Sequence, residues 1–124
     1  MNKEEFRLLV ARAVDGLPEE LHIRLENVDV VVEDWPTKEQ LEQAELSHRE
    51  MLLGLYQGVP LTERGAHYGL VPPDKITIFQ MPIEAKCRYG TGIVAEVQRV
   101  VRHEIAHHFG IGDARLQQLE NGED

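Results

Sequence analysis

The stretch HEIAHHFGIGD, from His103 to Asp113, decides how the C-terminal part of this chain folds. Apolar residues recur before and within it at helical spacing and predict a helix over residues 91–109 with one packing face. That face consists of Val94, Val97, Val101, Ile105 and His108. At about 100° per residue, His103 and His107 lie within about 40° of each other on a different face. Gly110 is predicted to end the helix, because a left-handed residue there lets the chain reverse without steric penalty.

The histidine face of this helix has the geometry of a metal site. Imidazoles at positions i and i+4 project one turn apart, which is the separation that two nitrogens need to bind one zinc ion. Glu104 is rotated toward the core side, where a carboxylate reaches a metal-bound water without being a ligand and acts as a general base. The reversal at Gly110 can bring Asp113 back to the metal. We therefore predict zinc ligands at His103, His107 and Asp113, with one tetrahedral position left open for water.

A structural alternative for this segment is a solvated helix end, since histidines near a helix C-terminus also interact favourably with the helix dipole. The presence of Gly110 and Asp113 after the two histidines favours the metal site, because the longer pattern seldom arises by chance.

His108 points about 100° away from His107 and lies on the apolar side. We predict a packed, hydrogen-bonded histidine at that position.

The three remaining histidines are isolated in the sequence. His22 and His48 are predicted to be surface residues. His67 has two open interpretations, a surface residue or one that lines the site, because it belongs to the loop at residues 62–69 and loops often carry function.

The composition limits the class of protein. The 124 residues, 42% of them hydrophobic, are predicted to form a single domain over residues 1–124. A formal net charge of -9 repels phosphate backbones and anionic membranes, so we expect no nucleic-acid partner and no membrane partner. The sequence has neither a signal peptide nor a membrane-spanning run, which favours a cytoplasmic location. The one cysteine, Cys87, is predicted to be a small packed residue.

Short helices and strands are predicted before the histidine helix. Helical spacing after an Asn2 and Glu5 capping pattern predicts a first helix that ends before Pro18. Thr37 and Gln40 again resemble a capping box, at the start of a short helix or ordered loop. Strands are predicted at Val28–Glu33, at residues 52–58 and at residues 75–81, the last ended by Pro82. Residues 120–124 are predicted to be a frayed acidic tail.

With HEIAHHFGIGD preceded by LLGLYQGVPLTERG and KITIFQMPIE, the chain resembles the small bacterial zincin-like metallopeptidases, or minimal zincins. The resemblance runs from about residue 29 to residue 116 and covers most of the chain. It implies an α+β fold in which a short mixed β-sheet packs against an N-terminal helix and the active-site helix. It also implies zinc as the cofactor and carries the family's site residues onto His103, His107 and Asp113 as ligands and Glu104 as the base. The motif further resembles the metzincin signature, but no methionine follows Asp113 for a metzincin-type turn, which favours the minimal form.

The leading hypothesis for function is a zinc-dependent metallopeptidase that hydrolyses peptide bonds through a zinc-bound water activated by Glu104. Its partner would be a peptide or protein substrate. The substrate would pair as an added strand with the sheet edge at residues 52–57 or 75–81, unless both strands belong to the core. The candidates for oxyanion stabilisation, by analogy, are Tyr56, Arg64, His67 and Tyr68.

Three alternatives to a peptidase stay open. The first is a zinc-retaining binding or regulatory module with little or no turnover. The others are a hydrolase of a non-peptide amide and a protein of metal transport or sensing. The presence of Glu104 favours an enzyme, because a structural metal site does not need a general base. The small size of the domain argues against an enzyme, because few residues are available to line a deep substrate cleft.

Overall fold

The computed structural model describes residues 1–58, 73–88 and 91–121 of the chain. The helices and strands of these residues are α1 (Lys3–Asp15), α2 (Glu19–Arg24), β1 (Val28–Glu33), α3 (Lys38–Gln43), a 3₁₀ turn (Arg49–Met51), β2 (Gly54–Gln57), β3 (Asp74–Phe79), α4 (Gln80–Lys86), α5 (Ile93–Phe109) and α6 (Asp113–Glu120).

The three strands form one mixed sheet in the order β1-β3-β2. The central strand β3 runs parallel to β1, with Val28 opposite Asp74. It runs antiparallel to β2, with Gly54 opposite Ile78. The short mixed sheet and the α+β fold that the resemblance implied are therefore confirmed.

Each face of the central strand buries a different cluster of side chains, because successive strand residues point to opposite faces. Ile76 and Ile78 belong to the main core, which also holds residues of the first and the histidine-bearing helix. The buried helical residues of this core include Phe6, Val10, Ala13, Val97, Val101 and Ile105. Phe79 belongs to a second, smaller cluster with Leu52 and Leu55. The predicted packing of the sheet against α1 and α5 is confirmed.

Several local predictions are also confirmed. The Asn2 side chain accepts a hydrogen bond from the Glu5 N–H at 2.8 Å and caps α1. Thr37 and Gln40 form a complete capping box at the start of α3. Cys87 is partly buried against the main core, and this burial raises the pKa of its thiol above the ordinary value of 9.0.

Two element predictions are wrong. The third strand ends at Phe79, and Pro82 lies inside α4 instead of ending the strand. A proline is tolerated there because the first-turn N–H groups of a helix have no intrahelical partner. Residue 120 ends α6, so the predicted frayed tail does not begin there, and residues 122–124 of that prediction lie outside the described residues. No helix in the described ranges is long and apolar enough to cross a membrane.

Gly54 allows β2 to approach α5 closely. A Cβ atom at this position would lie 2.5 Å from Val100 Cγ1 and 3.2 Å from the Thr77 carbonyl oxygen. Any larger residue would therefore push the strand away from the helix. This close approach places one edge of β2 beside the half of α5 that carries the histidines.

Candidate metal centre

Helix α5 ends in the left-handed turn that the sequence predicts. Gly110 has a φ of 68°, and across it the Ile111 N–H donates to the Ala106 carbonyl oxygen at 2.9 Å. Ile111 then packs against the main core. The left-handed glycine, the Ile111-to-Ala106 hydrogen bond and the packing of Ile111 give α5 a Schellman-type end, which reverses the chain before α6 begins at Asp113.

The two predicted histidine ligands lie one helical turn apart on the exposed side of α5. His103 and His107 are exposed, whereas Ile105 and Ala106 between them are buried. The predicted separation of a packing face from a histidine face is confirmed. The role of the histidines as ligands stays a prediction.

Glu104 lies next to His103 and is half-buried. Its Oε1 atom accepts a hydrogen bond from the Tyr56 N–H at 2.8 Å. The pairing of β2 explains why this N–H is available. The Phe79 N–H donates to the Leu53 carbonyl oxygen at 3.0 Å, so in the antiparallel alternation the N–H of Tyr56 points away from β3. The outer edge of β2 thus supplies a fixed backbone donor to the Glu104 carboxylate.

The surroundings of Glu104 act on its pKa in opposite directions. Burial is the largest effect and raises the pKa above the ordinary value of 4.5, because a low-dielectric environment disfavours the charged form. The Tyr56 hydrogen bond and the charges of His107 and His103 lower it and oppose this effect. The net shift is upward.

A cleft of about 630 Å³ runs along β2 and α5. Glu104, His107 and His108 line it from the helix. The other described lining residues are Gln43, Ala44, Glu45, Leu46, Leu52, Gly54, Leu55 and Tyr56. The structure therefore brings the predicted base and one predicted ligand into the same cleft, and His103 is not among the described residues that line it.

A chain of amide hydrogen bonds ties the end of α3 to β2 and so positions this part of the cleft. The Gln40 Nε2 donates to Gln57 Oε1 at 3.3 Å, and the Gln57 Nε2 donates to Gln43 Oε1 at 3.0 Å. Gln40 is buried, and its Oε1 also accepts from the Thr37 N–H at 2.8 Å. The capping box found in the sequence is thus also part of the support of the cleft.

Tyr56 makes side-chain contacts in the site that the sequence did not predict. Its hydroxyl donates to Asp74 Oδ2 at 2.7 Å, and its ring stacks on His108 with 3.8 Å between centroids. The predicted packing of His108 is found, on the Tyr56 ring, but the residue is exposed, so its predicted place on the buried apolar side of the helix is wrong. Asp74 was not predicted as a residue of the site. Its position at the start of a strand, just after Pro72-Pro73, does not indicate a hydrogen bond to a residue of β2.

The third predicted ligand, Asp113, is the first residue of α6, and its side chain lies outside what the structure describes. Arg64, His67 and Tyr68 also lie outside the described residues. Among residues 1–58, 73–88 and 91–121, no group of three histidine, cysteine, aspartate or glutamate side chains is arranged to hold a metal ion. The three-ligand site is therefore a prediction that the described residues leave untested.

The chain belongs to the zincin-like metallopeptidase family, since the sequence model of that family matches residues 25–123. The family resemblance proposed from the sequence motif is thereby confirmed. No protein of curated function matches the chain at a significant level.

The described donor set fits a zinc ion. Imidazole nitrogens are ordinary zinc ligands, and His103 and His107 present two of them to solvent from one helix face. The carboxylate beside them is held by a backbone N–H in a half-buried position, which keeps it separate from the exposed imidazoles.

Proposed function

We propose that this protein is a zinc-dependent metallopeptidase that hydrolyses peptide bonds with Glu104 as general base. The observation that carries the proposal is the position of Glu104, which lines the same cleft as His107 while the Tyr56 N–H holds one of its oxygens. A carboxylate fixed beside two exposed imidazoles is the arrangement that activation of a water at a metal requires.

His103, His107 and Asp113 are the proposed zinc ligands. A bound zinc ion would supply Lewis-acid chemistry there, lowering the pKa of water toward about 7 and polarising the scissile carbonyl. Glu104 then takes a proton from the attacking water with the oxygen that Tyr56 does not engage. It returns that proton to the nitrogen of the leaving amine, so that the peptide bond breaks with no net change in Glu104.

The substrate would be a peptide or protein segment that lies along the outer edge of β2. Residues 75–81 cannot offer a free edge because β3 is paired on both sides. In β2 the N–H and C=O of Gly54 and the C=O of Tyr56 point away from β3 and can pair with a substrate, whereas the outward Tyr56 N–H already donates to Glu104; both residues line the cleft. An extended peptide can add to such an edge through main-chain hydrogen bonds.

A zinc-retaining module with little turnover is the second candidate. The observation that favours it is the hydroxyl of Tyr56, which was a candidate for oxyanion stabilisation but donates to Asp74. The other candidates, Arg64, His67 and Tyr68, lie outside the described residues, and an enzyme that lacked every such donor would lose a large part of its rate enhancement.

Digestion of a mixed peptide library separates the two candidates. The purified protein is loaded with one equivalent of zinc and compared with the same sample after chelation, with products identified by mass spectrometry. Cleavage that disappears on chelation and returns with zinc supports the peptidase. One bound equivalent of zinc without any cleavage supports the module, and no bound zinc under any loading condition contradicts both.

A further inference from the structure

Tyr56 connects three parts of the site through three different groups. Its N–H holds Glu104, its hydroxyl donates to Asp74 at the start of β3, and its ring stacks on His108 at an interplanar angle of 16°. The Tyr56 and Phe109 rings also meet edge to face, with 6.0 Å between their centroids. One residue therefore touches the proposed base, the neighbouring strand and the end of the helix that carries the proposed ligands.

These contacts restrict where the Tyr56 main chain can lie. A tyrosine side chain has only two rotatable bonds before a rigid ring, so fixing the ring and hydroxyl also limits movement of the backbone. The hydroxyl bond to a carboxylate is charge-assisted and therefore stronger than a neutral one. The His108 stack limits how far the Tyr56 ring can slide over the end of α5.

We propose that the Tyr56 side chain is a positioning element for Glu104. By donating to Asp74 and stacking on His108, it fixes the β2 edge at the distance from α5 at which the Tyr56 N–H holds Glu104 Oε1. The second Glu104 oxygen is then directed to the proton that it accepts. This inference rests on the proposed function, but the geometric part of it is tested without turnover.

The Tyr56→Phe variant keeps the ring and removes the hydroxyl donor. We expect kcat to fall about fivefold, because only part of the free energy of this charge-assisted bond reaches Glu104 through the backbone, while KM and zinc affinity stay within about twofold. Asp74→Asn is the conservative partner, because the asparagine Oδ1 still accepts from the tyrosine hydroxyl, and it should retain most of the parent kcat. Val10→Ala in α1, a core change away from the cleft, controls for lost stability.

Hydrogen exchange of the residue-56 amide tests the geometry independently of activity. In Tyr56→Phe this amide should exchange about fivefold faster than in Val10→Ala, after each rate is corrected for the global stability of its variant. Glu104→Ala, which removes the acceptor itself, should accelerate the same amide further.

An exchange rate in Tyr56→Phe no faster than in Val10→Ala overturns the inference, and so does an active variant whose kcat equals that of the parent. If the parent protein cleaves no peptide, the proposed function fails, and the exchange rate of the residue-56 amide alone then decides whether Tyr56 positions Glu104.

Discussion

At the scale of single residues, helical periodicity assigns different environments to three neighbouring side chains. His103 and His107 are exposed and accessible to a metal, whereas Glu104 is half-buried and already bonded to Tyr56. The sequence predicts this division, because it follows from about 3.6 residues per turn and the position of the apolar stripe. It does not predict Tyr56 as the partner of Glu104, because the two residues are 48 positions apart and meet only through packing of β2 on α5.

Asp113 is the residue whose proposed role depends most on the turn at Gly110. Asp113→Ala should weaken zinc binding by considerably more than about 100-fold, since even residues that only support ligands change metal affinity by about 10- to 100-fold. A competition titration with a chromophoric chelator measures the affinity. His48→Ala, an exposed histidine on another part of the chain, is the control and should bind like the parent. Equal affinity in Asp113→Ala and the parent would show that another group completes the site.

At the scale of elements, α3 and α5 end in the same kind of turn, but the left-handed position of that turn holds a glutamate after α3 and a glycine after α5. After α3 the Leu46 N–H donates to the Leu41 carbonyl oxygen at 3.0 Å, and Glu45 between them has a φ of 58°. After α5 the equivalent left-handed residue is Gly110. A side chain is strained in that conformation and glycine is not, so Glu45 carries a conformational cost on the segment that lines the cleft.

Replacing the strained residue should stabilise the fold. We expect Glu45→Gly to increase the free energy of unfolding by about 1 kcal/mol, and Gly110→Ala to decrease it by a similar amount. A Cβ atom at Gly110 would meet nothing within 4 Å, so any loss there reflects backbone conformation and not a clash. Urea denaturation of both variants checks the pair. A destabilised Glu45→Gly would mean that the glutamate side chain makes a compensating interaction.

The elements that the sequence predicts are those with their own local signals. The capping residues of α1 and α3 and the glycine after α5 act within a few positions of the helix ends, and they were correctly assigned. Helix α4 was not, because Pro82 usually ends an element and only the position inside the first turn makes it compatible with a helix. The start of α6 at Asp113 was not predicted either, because the glycine directly before it is a poor helix former.

At the scale of the whole molecule, a net charge of -9 means that the carboxylates repel one another in the folded state. Each carboxylate that pairs with a cation reduces this repulsion and so contributes to stability. Glu96 of α5 accepts hydrogen bonds from Arg99 and from Lys86 of α4, the latter at 2.8 Å. The Arg99 bond is the largest influence and, together with Lys86, holds the pKa of Glu96 below the ordinary value of 4.5, although burial opposes this. The ionised side chain thus ties the helix that carries the site to the helix before it.

This lowered pKa predicts the direction of a pH effect. The stabilisation from Glu96 is fully present above pH 4.5, the ordinary value, and is lost as the pH falls through the lower value of the folded protein. Glu96→Gln should therefore lower the free energy of unfolding by about 1 kcal/mol at pH 7, and the difference should shrink as the pH falls below 4.5. Urea denaturation across this range measures it, with Glu39→Gln at an exposed position of α3 as the control. A difference that grows on acidification would contradict the assignment.

The most direct test of the proposed chemistry compares zinc binding and hydrolysis in Glu104→Gln. The substitution keeps the size of the side chain and an oxygen that accepts from the Tyr56 N–H, but it removes the base. If Glu104 is a base and not a ligand, zinc affinity should stay within about threefold of the parent while peptide hydrolysis falls at least about 100-fold. A variant that still hydrolyses peptide at the parent rate, or one that loses zinc, would contradict the role assigned to Glu104.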